Sequence, residues 1–123
     1  MSCIADYYIR NMHVNMSKSW GTKSDWPKRF GSAMAKKLEM RLNALSAAES
    51  LATFWPPNSK PERCHELKGK RVGEFSMDLV QPQRLIFEPT DGELQKRHAS
   101  RDERIRWSAI RDVNVIGIED THG

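Results

Sequence analysis

The fold of this chain is decided by residues 74–88, EFSMDLVQPQRLIFE, where apolar and polar side chains alternate on both sides of a proline-containing turn. Such a period of two is typical of half-buried strands. The segment therefore predicts two antiparallel strands, at 74–80 and 84–88, joined by a turn at 81–83. The apolar positions expected to face a core are Phe75, Met77, Leu79, Leu85 and Phe87.

Upstream of this hairpin, apolar residues recur with the period of a helix. Ser24 and Asp25 precede Trp26-Pro27, and a capping residue just before a proline is a helix-start signal. The pattern predicts a helical stretch of about 15–25 residues, which Gly31 can divide into two helices. The apolar stripe consists of Phe30, Met34, Leu38, Leu42 and Leu45.

The remaining segments complete the predicted order of elements. Three prolines in 55–61 indicate a surface crossing, because proline cannot continue a helix. The polar run 89–103 predicts an exposed loop, 107–110 a single helical turn, and the β-branched run 113–118 a central strand. With a short strand at 3–10, the order β, α, α, β, β, β predicts one α+β domain, with N-terminal helices packed on a small antiparallel sheet.

Composition excludes several classes of protein. A chain of 123 residues has room for one domain of ordinary size. No stretch approaches the roughly 18 apolar residues of a membrane helix, and the first residues lack the pattern of a secretory signal. Cys3 and Cys64 are the only cysteines, too few for a disulfide scaffold or a zinc ribbon. We therefore expect a cytoplasmic protein with no membrane partner.

The charge of the chain is unevenly distributed. The net charge is +4, and residues 1–59 hold all of it, with eight lysines and arginines against four acids. The rest of the chain is balanced. A basic helical surface suits a polyanionic partner such as RNA, although a solvated helix face is an equally ordinary explanation.

Two histidines stand out by position. His65 directly precedes the predicted hairpin, and His122 follows the last predicted strand, where alternation would put Asp120 on the same side as His122. A histidine pair suits phosphodiester cleavage, in which one group takes a proton from a ribose 2′-hydroxyl and another protonates the leaving oxygen. Asp120 would then orient His122.

Three cations near these histidines are candidates for binding phosphate: Lys68, Arg71 and Arg84. Arginine's planar fork matches phosphate oxygens, and Arg84 is held next to a proline turn.

Simpler explanations exist for each of these residues. His122 could lie in a frayed chain end, His65 could bond to backbone, and Lys68 and Arg71 could be solvated turn residues. A metal site formed by Cys64, His65 and His122 would need a fourth ligand and lacks a known spacing. The four tryptophans fit packing better than base stacking.

The order and spacing of these residues resemble a known family. Cys64-His65-Glu66-Leu67-Lys68-Gly69, the block from Arg71 to Phe87 and the ending Glu119-Asp120-Thr121-His122-Gly123 resemble the HigB-like killer toxins. These toxins belong to the RelE/ParE superfamily of bacterial type II toxin–antitoxin systems. The likeness covers roughly residues 26–123 and extends to the helix at 30–38.

The resemblance implies a compact RelE-like α+β fold and a metal-independent mRNA endonuclease that acts on the ribosome and inhibits translation. It implies neutralisation by a cognate helix-turn-helix antitoxin (HigA-like), operator DNA binding only through the toxin–antitoxin complex, and no cofactor. The segment 89–106 would contact the ribosome or the antitoxin. The family's active-site residues match His65, Lys68, Arg71, Arg84, Asp120 and His122, with Thr121 at a position where the family has a tyrosine that contacts substrate.

Two alternatives remain open at this point. A ParE-like toxin would inhibit a protein target such as gyrase without cleaving RNA. A weakly active toxin would act mainly in autorepression with its antitoxin, because threonine cannot stack on a base as tyrosine does.

Overall fold

A computed structural model describes residues 11–90 and 102–120. The predicted strand at 3–10, most of the predicted polar loop, and both Thr121 and His122 lie outside the described residues.

Two helices form the N-terminal layer. They are α1 (Trp26–Phe30) and α2 (Ser32–Ala47). Gly31 separates them as predicted, because its φ of 87° and ψ of 154° lie in a region that only glycine adopts readily. Short 3-10 turns at Lys18–Trp20 and Lys23–Asp25 lead into α1, and the Trp26 indole N–H donates to the Trp20 carbonyl over 3.0 Å.

Five strands form one mixed sheet. They are β1 (His13–Asn15), β2 (His65–Glu66), β3 (Phe75–Asp78), β4 (Gln83–Pro89) and β5 (Asp112–Asp120). Their order across the sheet is β1-β5-β4-β3-β2. The hairpin β3–β4 and the long last strand confirm the α+β prediction, with boundaries shifted by a few residues.

Two details of the prediction are wrong. The sheet is not wholly antiparallel, because β1 pairs with β5 in parallel. A three-residue strand with one apolar side chain has no measurable period of two, so its pattern could not predict β1. The helix predicted as one turn is a full helix, α3 (Glu103–Ala109), since Asp102 Oδ1 accepts from the backbone N–H of Arg104 and Ile105 and caps it.

The core lies between the helices and one face of the sheet. Phe75 stacks on Phe87 with ring centroids 5.9 Å apart, and Trp107 of α3 meets Phe75 edge-on at 5.6 Å. Trp55 packs edge-on against Trp107 at 5.1 Å. Trp55 and Trp107 therefore serve in packing, as the sequence predicted. The stripe residues Leu38, Leu42 and Leu45 complete the core from α2.

Candidate active site

The register of the sheet sorts the candidate residues by face. His65 pairs with Ser76, Ser76 with Ile86, and Asp78 with Arg84. Paired residues share a face and neighbours along a strand alternate. His65 and Arg84 therefore lie on the same face, opposite the core face.

We call this group the site face; it comprises His65, Ser76, Asp78, Arg84 and Glu119, which pairs with Arg84. His65 and Arg84 are separated by one strand and offset by two residues. Standard sheet spacings then put their Cα atoms about 12 Å apart. Their side chains therefore leave the same face of the sheet.

The contacts of His65 indicate the tautomer of its neutral ring. Its Nδ1 lies 3.1 Å from the Arg63 carbonyl, and its Nε2 lies 3.4 Å from the hydroxyl of the buried Ser76. A carbonyl only accepts hydrogen bonds, so Nδ1 carries the proton. In the neutral ring Nε2 is then the acceptor. The contact to Ser76 is long for a hydrogen bond.

Arg84 is held by a neighbouring carboxylate. Its Nε lies 3.4 Å from Asp78 Oδ1, and the Arg63 Nε lies 3.8 Å from Asp78 Oδ2. The Asp78 side chain is 13% exposed and that of Arg84 is 21% exposed. A carboxylate so largely removed from water restricts the guanidinium more than a surface pair does. Asp78 thereby limits the directions in which Arg84 can point.

The two candidate cations between β2 and β3, Lys68 and Arg71, differ in their surroundings. Lys68 is exposed and directly precedes the 3-10 turn Gly69–Arg71. Arg71 is bonded to two carboxylates: Nε and Nη2 donate to Glu74 Oε1 over 3.0 and 2.6 Å, and Nη1 and Nη2 donate to Glu119 over 2.7 and 3.0 Å. These bonds raise the pKa of Arg71 above its usual range and lower the pKa of Glu119 below its ordinary value.

Asp120 lies apart from this group. It pairs with Gln83 and, with Ile118, falls on the other face of β5, as the alternation predicted. The structure therefore brings together His65 and Arg84, places Arg71 beside Glu119, and does not place Asp120 on the site face. The roles of Asp120, Thr121 and His122 stay predictions.

Sequence reasoning missed the residues that hold the site together: Ser76, Asp78 and Glu119. Ser76 contacts His65 and Asp78 contacts Arg84 across neighbouring strands. Glu119 contacts Arg71, which lies 48 residues away in the sequence. The one available signal was an acidic residue facing Arg84 across the predicted hairpin, which is Asp78.

The cysteine of the candidate metal set is buried. Cys64 is completely inaccessible, and burial raises the pKa of its thiol, which disfavours the thiolate that metals bind. Within residues 11–90 and 102–120, no three His, Cys, Asp or Glu side chains cluster closely enough to hold a metal ion.

In the same part of the chain, no helix has the length and apolar character needed to cross a membrane.

Comparison with solved structures identifies this arrangement of helices and strands. The YoeB/ParE toxin from Agrobacterium tumefaciens superposes with a TM-score of 0.51, covering 90% of this chain and 100% of that chain, at 16% sequence identity. This chain has the fold of that toxin. The RelE-type fold expected from the sequence is thus confirmed, while a HigB-like subtype stays a prediction. No protein-family model and no curated protein matches the sequence.

Proposed function

We propose that the protein is the toxin of a type II toxin–antitoxin system and a ribosome-dependent mRNA endonuclease of the HigB-like kind. The observation that carries the proposal is the placement of His65 and Arg84 on one face of the sheet. The contact of His65 Nδ1 with the Arg63 carbonyl leaves Nε2 as the hydrogen-bond acceptor of the neutral ring. Its site of action is the cytoplasm.

The proposed reaction uses the RNA's own nucleophile. Nε2 of His65 takes the proton of a ribose 2′-hydroxyl, and the oxygen attacks the adjacent phosphorus. The bond from phosphorus to the 5′-oxygen breaks, and an acid protonates that oxygen. The products are a 2′,3′-cyclic phosphate and a free 5′-hydroxyl. We assign the acid to His122, and this chemistry needs no metal or cofactor. Asp120, on the opposite face of β5, would not act directly on the phosphodiester.

The cations divide the work of binding phosphate. Arg84 would meet the scissile phosphate, where negative charge grows during attack, with a guanidinium already oriented by Asp78. Lys68, exposed just before the 3-10 turn that follows β2, would contact a neighbouring phosphate. Thr121 would contact the substrate at the position that the family fills with tyrosine.

The helical layer supplies a basic surface for ribosomal RNA. Six cations on and before α1 and α2 face solvent wholly or in part, against two acids in the same segments. Such binding falls steeply with salt. The exposed cations are Lys18, Lys23, Lys28, Arg29, Lys36 and Lys37.

The partners proposed for regulation follow from the same assignment. A helix-turn-helix antitoxin of the HigA kind would bind and neutralise the toxin, and operator DNA would be bound only by their complex. A gel-shift assay with toxin alone, antitoxin alone and the complex tests this division. Operator binding by toxin alone would contradict it.

The test of the proposed activity is induction of wild type and variants in cells, followed by transcript mapping. We expect His65→Ala, Arg84→Ala and His122→Ala each to abolish growth arrest and mRNA shortening. His13→Ala is the matched control, because the side chain of His13 is 80% exposed on β1. If His65→Ala still shortened transcripts, the proton-acceptor assignment would be wrong.

The same induction distinguishes the other two toxin types. A ParE-like gyrase inhibitor would change plasmid supercoiling and leave transcripts intact. A weakly active toxin would gain toxicity on Thr121→Tyr, because an aromatic ring restores base stacking. An unchanged Thr121→Tyr would indicate that another residue supplies the stacking.

A further inference from the structure

Arg71 has a set of contacts that its predicted role in substrate binding does not explain. Its three guanidinium nitrogens make four hydrogen bonds, all of 3.0 Å or less, to carboxylate oxygens of Glu74 and Glu119. The contact to Glu119 is a two-pronged fork, the most directional pairing that arginine makes. One positive charge thus faces two negative ones, and the group has a net charge of −1.

This contact joins two distant parts of the chain. Arg71 ends the 3-10 turn that follows β2, six residues after His65, and Glu119 lies at the end of β5, directly before Asp120. Glu119 is also the register partner of Arg84. The Arg71–Glu119 fork therefore fastens the end of β5 to the segment that carries His65.

The segment that carries Arg71 is itself anchored at both ends. Leu67 N–H donates to the Glu74 carbonyl over 2.8 Å, and Gly73 N–H donates to Glu66 Oε2 over 2.9 Å. The other carboxylate oxygen of Glu66 lies 3.5 Å from the guanidinium of Arg106 on α3. These bonds restrict the position of the loop, so the Arg71 guanidinium can hold the end of β5 in place.

We infer that Arg71 is a positioning residue, which holds the end of β5 (residues 118–120) against the His65 segment. This inference rests on the proposed nuclease function. It replaces a phosphate-binding role for Arg71, because a phosphate would have to displace a carboxylate while a second carboxylate remained to repel it.

The two roles predict opposite effects of Glu119→Gln. If Arg71 is a positioning residue, Glu119→Gln and Arg71→Gln both break the same pair of hydrogen bonds. Each variant then lowers kcat at least tenfold and leaves KM within about twofold of wild type. The double variant is no worse than either single variant, because both changes remove the same interaction. For a phosphate ligand, Glu119→Gln frees the guanidinium and tightens RNA binding, whereas Arg71→Gln raises KM and reduces the salt dependence.

The experiment combines ribosome-programmed cleavage kinetics with amide hydrogen exchange at residues 118–120 and thermal unfolding. We expect faster exchange at these amides in both single variants. Lys60→Gln, which removes an exposed cation in the segment before β2, is the control and should change neither readout.

The exchange measurement separates failure of this inference from failure of the proposed function. Faster exchange in a protein that cleaves no RNA would overturn the nuclease proposal and leave the Arg71–Glu119 fastening intact. Unchanged exchange at 118–120, or tighter RNA binding by Glu119→Gln, would overturn the positioning role.

Discussion

The guanidinium of Arg41, on α2, donates from Nε to the backbone carbonyl of Asp78 over 2.7 Å and from Nη2 to the Pro61 carbonyl over 3.3 Å. Arg41 is 4% exposed, so these carbonyls replace the water that its charge has lost. Asp78 is also the residue whose carboxylate holds Arg84. One residue at the end of β3 thus connects the helical layer to the site face.

Removing the buried arginine should destabilise the fold. In Arg41→Met the apolar stem is kept, but two partly buried carbonyls lose a charged donor, which costs about 2–3 kcal/mol. Lys36→Met, at an exposed position of the same helix, should stay within about 0.5 kcal/mol of wild type. Urea unfolding of both variants measures the difference, and equal stabilities would refute a structural role for Arg41.

Neutralising the carboxylate beside Arg84 should impair cleavage more than folding. Asp78→Asn keeps the shape of the side chain and removes the charge that orients the guanidinium, so we expect kcat/KM to fall by roughly tenfold or more. Asp112→Asn changes an aspartate that is 54% exposed and should leave cleavage unchanged. An Asp78→Asn enzyme with wild-type kinetics would show that Arg84 needs no orienting partner.

The break between α1 and α2 should depend on glycine. A Cβ at Gly31 meets no atom within 4 Å, so the cost of Gly31→Ala is conformational and amounts to about 1–3 kcal/mol. Gly117→Ala is the matched comparison, since its Cβ also meets nothing within 4 Å and its φ is not positive. Differential scanning calorimetry should show a lower Tm for the first variant only. Similar Tm values would mean that alanine is accommodated at position 31 without strain.

Acid should remove the contribution of the Arg71–Glu119 pair. Hydrogen bonds from Arg71 lower the pKa of Glu119 in the folded protein, so the pair stabilises the fold above the unfolded glutamate pKa, and this stabilisation is lost as pH falls through the folded value. The side chain of Glu119 is 38% exposed, so solvent keeps the effect small. Unfolding free energies of wild type and Glu119→Gln should differ near neutral pH and converge in acid. A difference that persists in acid would have another cause.

Much of the candidate site could be predicted because it lies in local patterns. His65, Lys68 and Arg84 sit in or beside segments whose alternation or resemblance to a toxin motif is visible in the sequence. Asp78 lies opposite Arg84 in the same hairpin and was within reach of prediction. Glu119 could not be assigned, because the register that puts it opposite Arg84 joins strands far apart in the sequence. For the same reason the fork from Arg71 to Glu119, across 48 positions, was beyond prediction.

The sequence by itself determined the helices, the β3–β4 hairpin and the long final strand, since hydrophobic periodicity and turn residues act over a few positions. Only the tertiary structure decided that β1 joins the sheet in parallel, that Asp120 lies on the opposite face from His65, and that the donors of Arg71 are directed to carboxylates. Those outcomes depend on strand register and on which charges burial brings together. Both are set by packing of the whole chain, which is why residues 74–88 predict the hairpin and leave its partners open.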